Sequence, residues 1–95
     1  MNHLTLHAEL IQTHPLRYTP AGIPALDLML LHDSEQVEMG QTRKVRLEFK
    51  SQCFGTDAET LSRQALGSAF EFTGFLANTR NGKGVVFHIQ AFTKI

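Results

Sequence analysis

The sequence is poor in residues that would commit it to metal or covalent chemistry. Among 95 residues only Cys53 is a cysteine, and there is no tryptophan. A lone thiol forms no intrachain disulfide and cannot build a thiolate zinc site. Of the five histidines, His3, His7, His14, His32 and His88, only His3 and His7 are four apart, and they share a face of a strand-like run rather than a helix. None has a cysteine partner, so no metal centre and no cofactor are expected. Cys53 with a distant histidine is an arrangement any small protein can show, and nothing in the order of Asp27, Glu48 and Glu71 places two carboxylates in one cleft. Catalysis is therefore not expected. No window approaches the ~20 apolar residues of a membrane-spanning helix. The stretch MNHLTLHAEL has polar residues at every other position and no cationic lead, unlike a signal peptide. A cytoplasmic location with no membrane partner is the expectation.

Net charge is also missing: nine Lys plus Arg stand against nine Asp plus Glu. That argues against nucleic-acid binding, since such domains often have a pI above ~9. Screening weakens the objection, because over ~8 Å at physiological salt a local patch outweighs the molecular total. The acids also look set apart in sequence, with Asp33, Glu35 and Glu38 in one connection and Asp57 and Glu59 in another. Apolar content of 42% with 19% charged residues fits one compact domain, residues 1–95.

What is present is a set of alternating runs. Thr42 to Lys50 splits into Val45, Leu47 and Phe49 on one side and Lys44, Arg46, Glu48 and Lys50 on the other, a half-buried strand with a mainly cationic front. With Arg43 the nonamer holds four of the nine basic residues and one acid. Such a face suits a polyanion; it also suits a solvated strand whose charges resist aggregation. Before it, His3 to Gln12 and Ala25 to His32 read as strands, separated by a Thr19-Pro20-Ala21-Gly22 turn with Arg17 and Tyr18 on its rim. The second has apolar residues on both faces, which places it centrally or under a partner chain. Asp33 to Gln41 reads as a polar connection turning at Gly40.

After the cationic strand, Thr56 and Glu59 form a capping-box pattern. Ala58, Leu61 and Ala65 recur on one face of a helix of about two turns that Gly67 stops. Ser68 to Ala77 alternates again, with Gly74 marking a bend or bulge. Asn78 to Gly84 is a hairpin loop carrying Arg80 and Lys83, and Val85 to Ile95 is a fifth strand. The phenylalanines mostly share strand parity with aliphatics, so their default role is core.

Three strands, a short helix and two strands predict an all-β fold: a five-stranded OB-fold Greek-key barrel with the helix between strands three and four. That fold binds oligonucleotides or oligosaccharides on its second and third strands and its first and last hairpin loops. The candidate nucleic-acid-binding residues are accordingly Arg17, Tyr18, Arg43, Lys44, Arg46, Lys50, Arg80 and Lys83.

The segment PLRYTPAGIPALDLMLLHDSE, the GQ before the cationic strand and EFTGFLA before the last hairpin are similar to the primosomal replication protein N (PriB) family, within the bacterial single-stranded DNA-binding proteins. The resemblance runs from Leu4 to Ile95. It implies a homodimer that binds single-stranded DNA and assists the PriA helicase and other primosome proteins in replication restart. Family members contact DNA through basic and aromatic residues of the third strand and last loop. Arg46 stands where some members have Trp, Gln41 where Phe can occur, Tyr18 where Lys can occur, and Asp33 where Arg can occur. Base stacking on strand three is thereby reduced to what the Arg46 guanidinium offers. Two readings stay open: a single-stranded DNA-binding accessory protein, and an interaction module whose cationic face docks an acidic replication partner with weak DNA contact.

Overall fold

The computed structural model describes residues 1–95. Its elements are β1 (Leu4–Thr13), β2 (Arg17–Tyr18), β3 (Pro24–Glu38), β4 (Gln41–Phe54), α1 (Thr56–Ser62), β5 (Ala69–Asn78) and β6 (Val85–Lys94). The strand order β1-β5-β6-β4-β3-β2, with β1 also paired to β3, closes five strands into a barrel. Closure depends on β1 serving two neighbours. Leu4–Glu9 pair with β5, and Glu9–Thr13 pair with β3 across a register shift between Leu10 and Gln12. A bulge of this kind bends a strand and sharpens its twist. On the opposite side Ser51–Cys53 of β4 run parallel to Phe87–Ile89 of β6. This is the predicted OB-fold.

Period-two alternation selects the interior. Leu10, Leu26, Leu28, Leu30, Cys53, Phe72 and Phe87 point inward and are essentially sealed from solvent. Helix α1 plugs one end of the barrel with Ala58 and Leu61. Burial pushes the Cys53 thiol up to about 11, with nearby Asp57 acting in the same direction, so the sulfur remains an inert core atom. Gly74 is where β5 shifts register against β6, and a Cβ there would lie 1.8 Å from the His88 carbonyl oxygen. Only a residue without a side chain allows the two strands to approach so closely.

Three sequence expectations need correction. The helix has no capping box: its N-cap is Gly55 at φ 84°, with no side-chain cap, and Thr56 lies within the first turn. Gly55 N–H donates to the Pro24 carbonyl at 2.9 Å, and this fixes the corner and carries the chain into the helix one residue early. The helix also ends at Ser62, well before Gly67, and Ala65 is exposed. The chain must leave there to return to β1, where Gly67 N–H reaches the Leu10 carbonyl and Leu10 N–H the Ser68 carbonyl.

The third correction matters most. Asp33 to Gln41 is not a connection, because β3 and β4 stay paired as far as Glu38 and Gln41. They turn through Met39 and Gly40 at φ 51° and 75°. Positive φ at both turn residues matches the right-handed twist of a two-residue hairpin. The result is an arm of about six residues per strand, roughly 20 Å at strand rise. It contributes to a molecule of 50 × 30 × 21 Å.

Candidate nucleic-acid interface

The outer face of the barrel carries an open groove of about 1210 Å³ between the β2 turn and the β5–β6 loop. Arg17 and Tyr18 form one wall, Arg80 the other, and Lys50 and Gln52 of β4 lie between them. The fold places these side chains for local reasons. Arg17 and Tyr18 pair with Ala25 and Pro24, and Thr19 closes the turn by accepting from Gly22 N–H at 2.8 Å. Tyr18 is held clear of the core and is 60% exposed. Across the groove the loop is tied by Asn81, whose Oδ1 accepts from Thr79 Oγ1 at 2.8 Å and Lys83 N–H at 2.9 Å. Lys83 sits in that loop, exposed.

An aromatic ladder runs along the same face. The His88 ring stacks on Phe75 at 4.9 Å and 8° between planes, and Phe54 stacks on the other side at 6.1 Å and 20°. Phe54 and His88 line the groove, and Phe54 is 42% exposed. Sequence reasoning missed all three rings. The outward alternation Lys50, Gln52, Phe54 was available, but ending the strand at Lys50 hid it. Phe75 and His88 lie on the polar parity of their strands and meet only through the β5–β6 register.

The remaining cations, Arg43, Lys44 and Arg46, project from the arm, away from the groove, and there the acids are not set apart. The hairpin brings Asp33 opposite Arg46 and Glu35 opposite Lys44. Arg46 Nη1 donates to both oxygens of Asp33 at 3.0 and 3.2 Å, and Arg43 Nη1 to Glu38 Oε1 at 2.6 Å. These pairs are well exposed, so each contributes little to stability. Their electrostatic consequence is larger: from Asp33 to Arg46 three acids face three bases. The cationic front of the sequence is a compensated surface in the fold.

Within the groove Arg17 is also paired. Its Nε and Nη2 donate side-on to Asp27 at 3.0 and 3.2 Å, and Gln52 Nε2 adds a third bond to that carboxylate at 3.0 Å. The bond from Arg17 is the main reason the Asp27 carboxyl lies below its usual range, with Gln52 assisting against partial burial. The same bond raises the Arg17 guanidinium. Neither Lys50 nor Arg80 takes part in an ion pair.

Known proteins share this architecture. Residues 2–91 match the profile of a family described as another single-strand binding protein family. The replication restart protein PriB of Bordetella pertussis is 40% identical over 96 residues, covering all of this chain and 90% of that protein. The PriB of Neisseria gonorrhoeae is 42% identical over 76 residues, 80% of this chain and 75% of that one. Among solved structures, PriB from Ralstonia solanacearum superposes with a TM-score of 0.90 at 34% identity, covering 99% and 97% of the two chains. The single-stranded DNA-binding protein of Thermus aquaticus, at 24% identity and a TM-score of 0.78 over half of that chain, shares the fold. Agreement in sequence and barrel along the whole length shows that the chain belongs to the replication restart PriB family, within the single-strand binding OB-fold proteins.

Proposed function

We propose that the protein binds single-stranded DNA in the groove between the β2 turn and the β5–β6 loop, as an accessory factor in replication restart. The observation that carries this reading is the placement of uncommitted cations, Lys50 and Arg80, beside the stacked rings of Phe54, His88 and Phe75. Cations neutralise phosphates without regard to sequence, and aromatic faces take successive bases. A groove open along its length accepts a continuous strand. No catalytic group is needed, and the protein acts by holding DNA for other replication proteins.

The arm takes a second role. Its charges are compensated, and Val37 and Met39 at its tip are 75% and 98% exposed. That surface suits a protein partner better than a phosphate chain, and we assign to it the contact with the PriA helicase. A homodimer completes the assembly. Over Leu4–Ala8 strand β1 has a neighbour on one edge only, and an open edge is a template for pairing with a second copy.

The test is titration of a fluorescent single-stranded oligonucleotide at several salt concentrations. Three free cations, Lys50, Arg80 and Lys83, predict a slope of log affinity against log salt of about −2, at ~0.7 per phosphate neutralised. An affinity unchanged between low and physiological salt overturns the reading.

A further inference from the structure

We infer that Asp27 limits the affinity of the groove by holding Arg17 away from the phosphate chain, so that this cation is counted only when the Arg17–Asp27 pair opens. The inference rests on the groove being the DNA site. Asp27 is the one acid among the residues lining it, facing Arg17, Lys50 and Arg80. It is positioned by the sheet: Gln52 lies directly opposite in the β3–β4 register, and Ala25, two residues earlier on the same face, is the partner of Arg17.

The geometry is side-on and largely satisfied. Asp27 Oδ2 accepts from Arg17 Nε at 3.0 Å, and Oδ1 accepts from Arg17 Nη2 at 3.2 Å and Gln52 Nε2 at 3.0 Å. Three of the roughly four lone-pair sites of the carboxylate are thereby filled from inside the protein. Asp27 has no need of a ligand, yet its charge stays in the groove with 36% of its side chain exposed. A phosphate that approaches the Arg17 guanidinium meets a carboxylate already bound to its Nε edge, and two anions at one guanidinium repel. The bond from Arg17 lowers the Asp27 carboxyl below its usual range, which favours the ionised form. Lys50 and Arg80 in the groove and Lys83 in the adjoining loop, none of them in an ion pair, therefore set wild-type binding.

Labelled oligothymidylate titrated against wild type, Asp27→Asn, Arg17→Ala and the double variant over a salt series decides the matter. Asn keeps the shape and can still accept from Gln52. Asp27→Asn should bind roughly three- to tenfold tighter at low salt, as expected for removing one anion beside the strand. Its salt slope should steepen by about 0.7 as Arg17 joins the counted cations. Both gains should vanish in the Arg17→Ala background. Asp27→Ala serves as a second variant and must change affinity in the same direction. Unchanged or weaker binding in the folded variants would overturn the inference, weaker binding meaning that Asp27 orients Arg17 toward phosphate. An equal gain with and without Arg17 would also overturn it, since only charge would then be sensed. Lys50→Ala separates the two levels. If Lys50→Ala weakens binding while Asp27→Asn does nothing, the groove stands and the restraint falls. If Lys50→Ala has no effect, the groove itself is the wrong site.

Discussion

Phe54 shows how much one side chain owes to its register. It ends β4 beside Gln52 and Lys50 on the outer face, pairs with Ala25, and stacks on His88 rather than entering the core. Its ring is already partly wet, so truncation removes little buried apolar area. Phe54→Ala should change unfolding free energy by no more than about 1 kcal/mol, between the surface value and that of a core phenylalanine. DNA affinity should fall by about 1–3 kcal/mol, the usual loss when a base loses its aromatic platform. Chemical denaturation and oligonucleotide titration of the same variant check both halves. A large stability loss with unchanged affinity would make Phe54 a packing residue. The rings that do pack differ visibly: Phe72 and Phe87 are sealed, and Phe70 meets Phe92 edge to face at 5.4 Å. Parity identified Phe72 and Phe87 from sequence, because both sit among aliphatics on one strand face. It was silent on Phe54, whose platform exists only through neighbours on other strands.

Among the elements, the β3–β4 arm departs furthest from sequence expectation. Half-buried strands announce themselves by alternation, but an arm with solvent on both faces has no core to alternate against, and its polar residues read as a loop. Its turn, Met39-Gly40, also lacks the Asn-Gly or Asp-Gly signature, and Met39 adopts positive φ without such help. Hydrogen bonds secure the base of the arm. His32 Nδ1 donates to the His7 carbonyl at 2.6 Å, leaving Nε2 to accept from Ser34 Oγ at 2.8 Å, and Gln36 Nε2 donates to that hydroxyl at 3.1 Å. Because the arm pairs its own charges, Arg46→Ala removes a cation already matched by Asp33. Its effect on DNA affinity should equal that of Arg63→Ala on the exposed end of α1, and both should fall below that of Lys50→Ala, which removes an unpaired cation from the groove. Parallel titrations of the three variants settle the order. A loss at Arg46 matching that at Lys50 would return the DNA site to the arm.

For the whole molecule, a barrel closed through β1 leaves Leu4–Ala8 without a second strand neighbour, on the side where β3 departs toward the arm. Part of this edge is already occupied, since the His7 carbonyl accepts from His32. The neighbouring edge of β5 is closed by Asn2, whose carboxamide donates to the Leu76 carbonyl at 2.6 Å and accepts from Leu76 N–H at 2.9 Å. The remaining open groups predict a homodimer. Sedimentation equilibrium should give twice the chain mass at micromolar concentration, and a monomer throughout that range would refute the assignment. Substitution of Thr5, exposed and two residues before His7 on the same backbone edge, by proline should shift the equilibrium toward monomer, because proline cannot donate to a ladder.

The order of the main elements, the inward-facing aliphatics and the lone cysteine were determined by sequence alone. Each follows from a period-two pattern or a residue count that no distant contact can alter. The turn that carries Arg17 and Tyr18 and the loop that carries Arg80 and Lys83 were likewise legible, because proline, glycine and asparagine impose their dihedral preferences locally. Charge was not. Asp33 and Arg46 are 13 residues apart along the chain, and Arg17 and Asp27 are 10 apart, yet both pairs are in hydrogen-bond contact. A strand shows which side chains share its face, but the field over that face depends on what the neighbouring strand sets beside them. Tertiary structure therefore decided that the strand of highest cation density is neutral in effect. It also decided that the unpaired cations and stacked rings meet in the groove beside it.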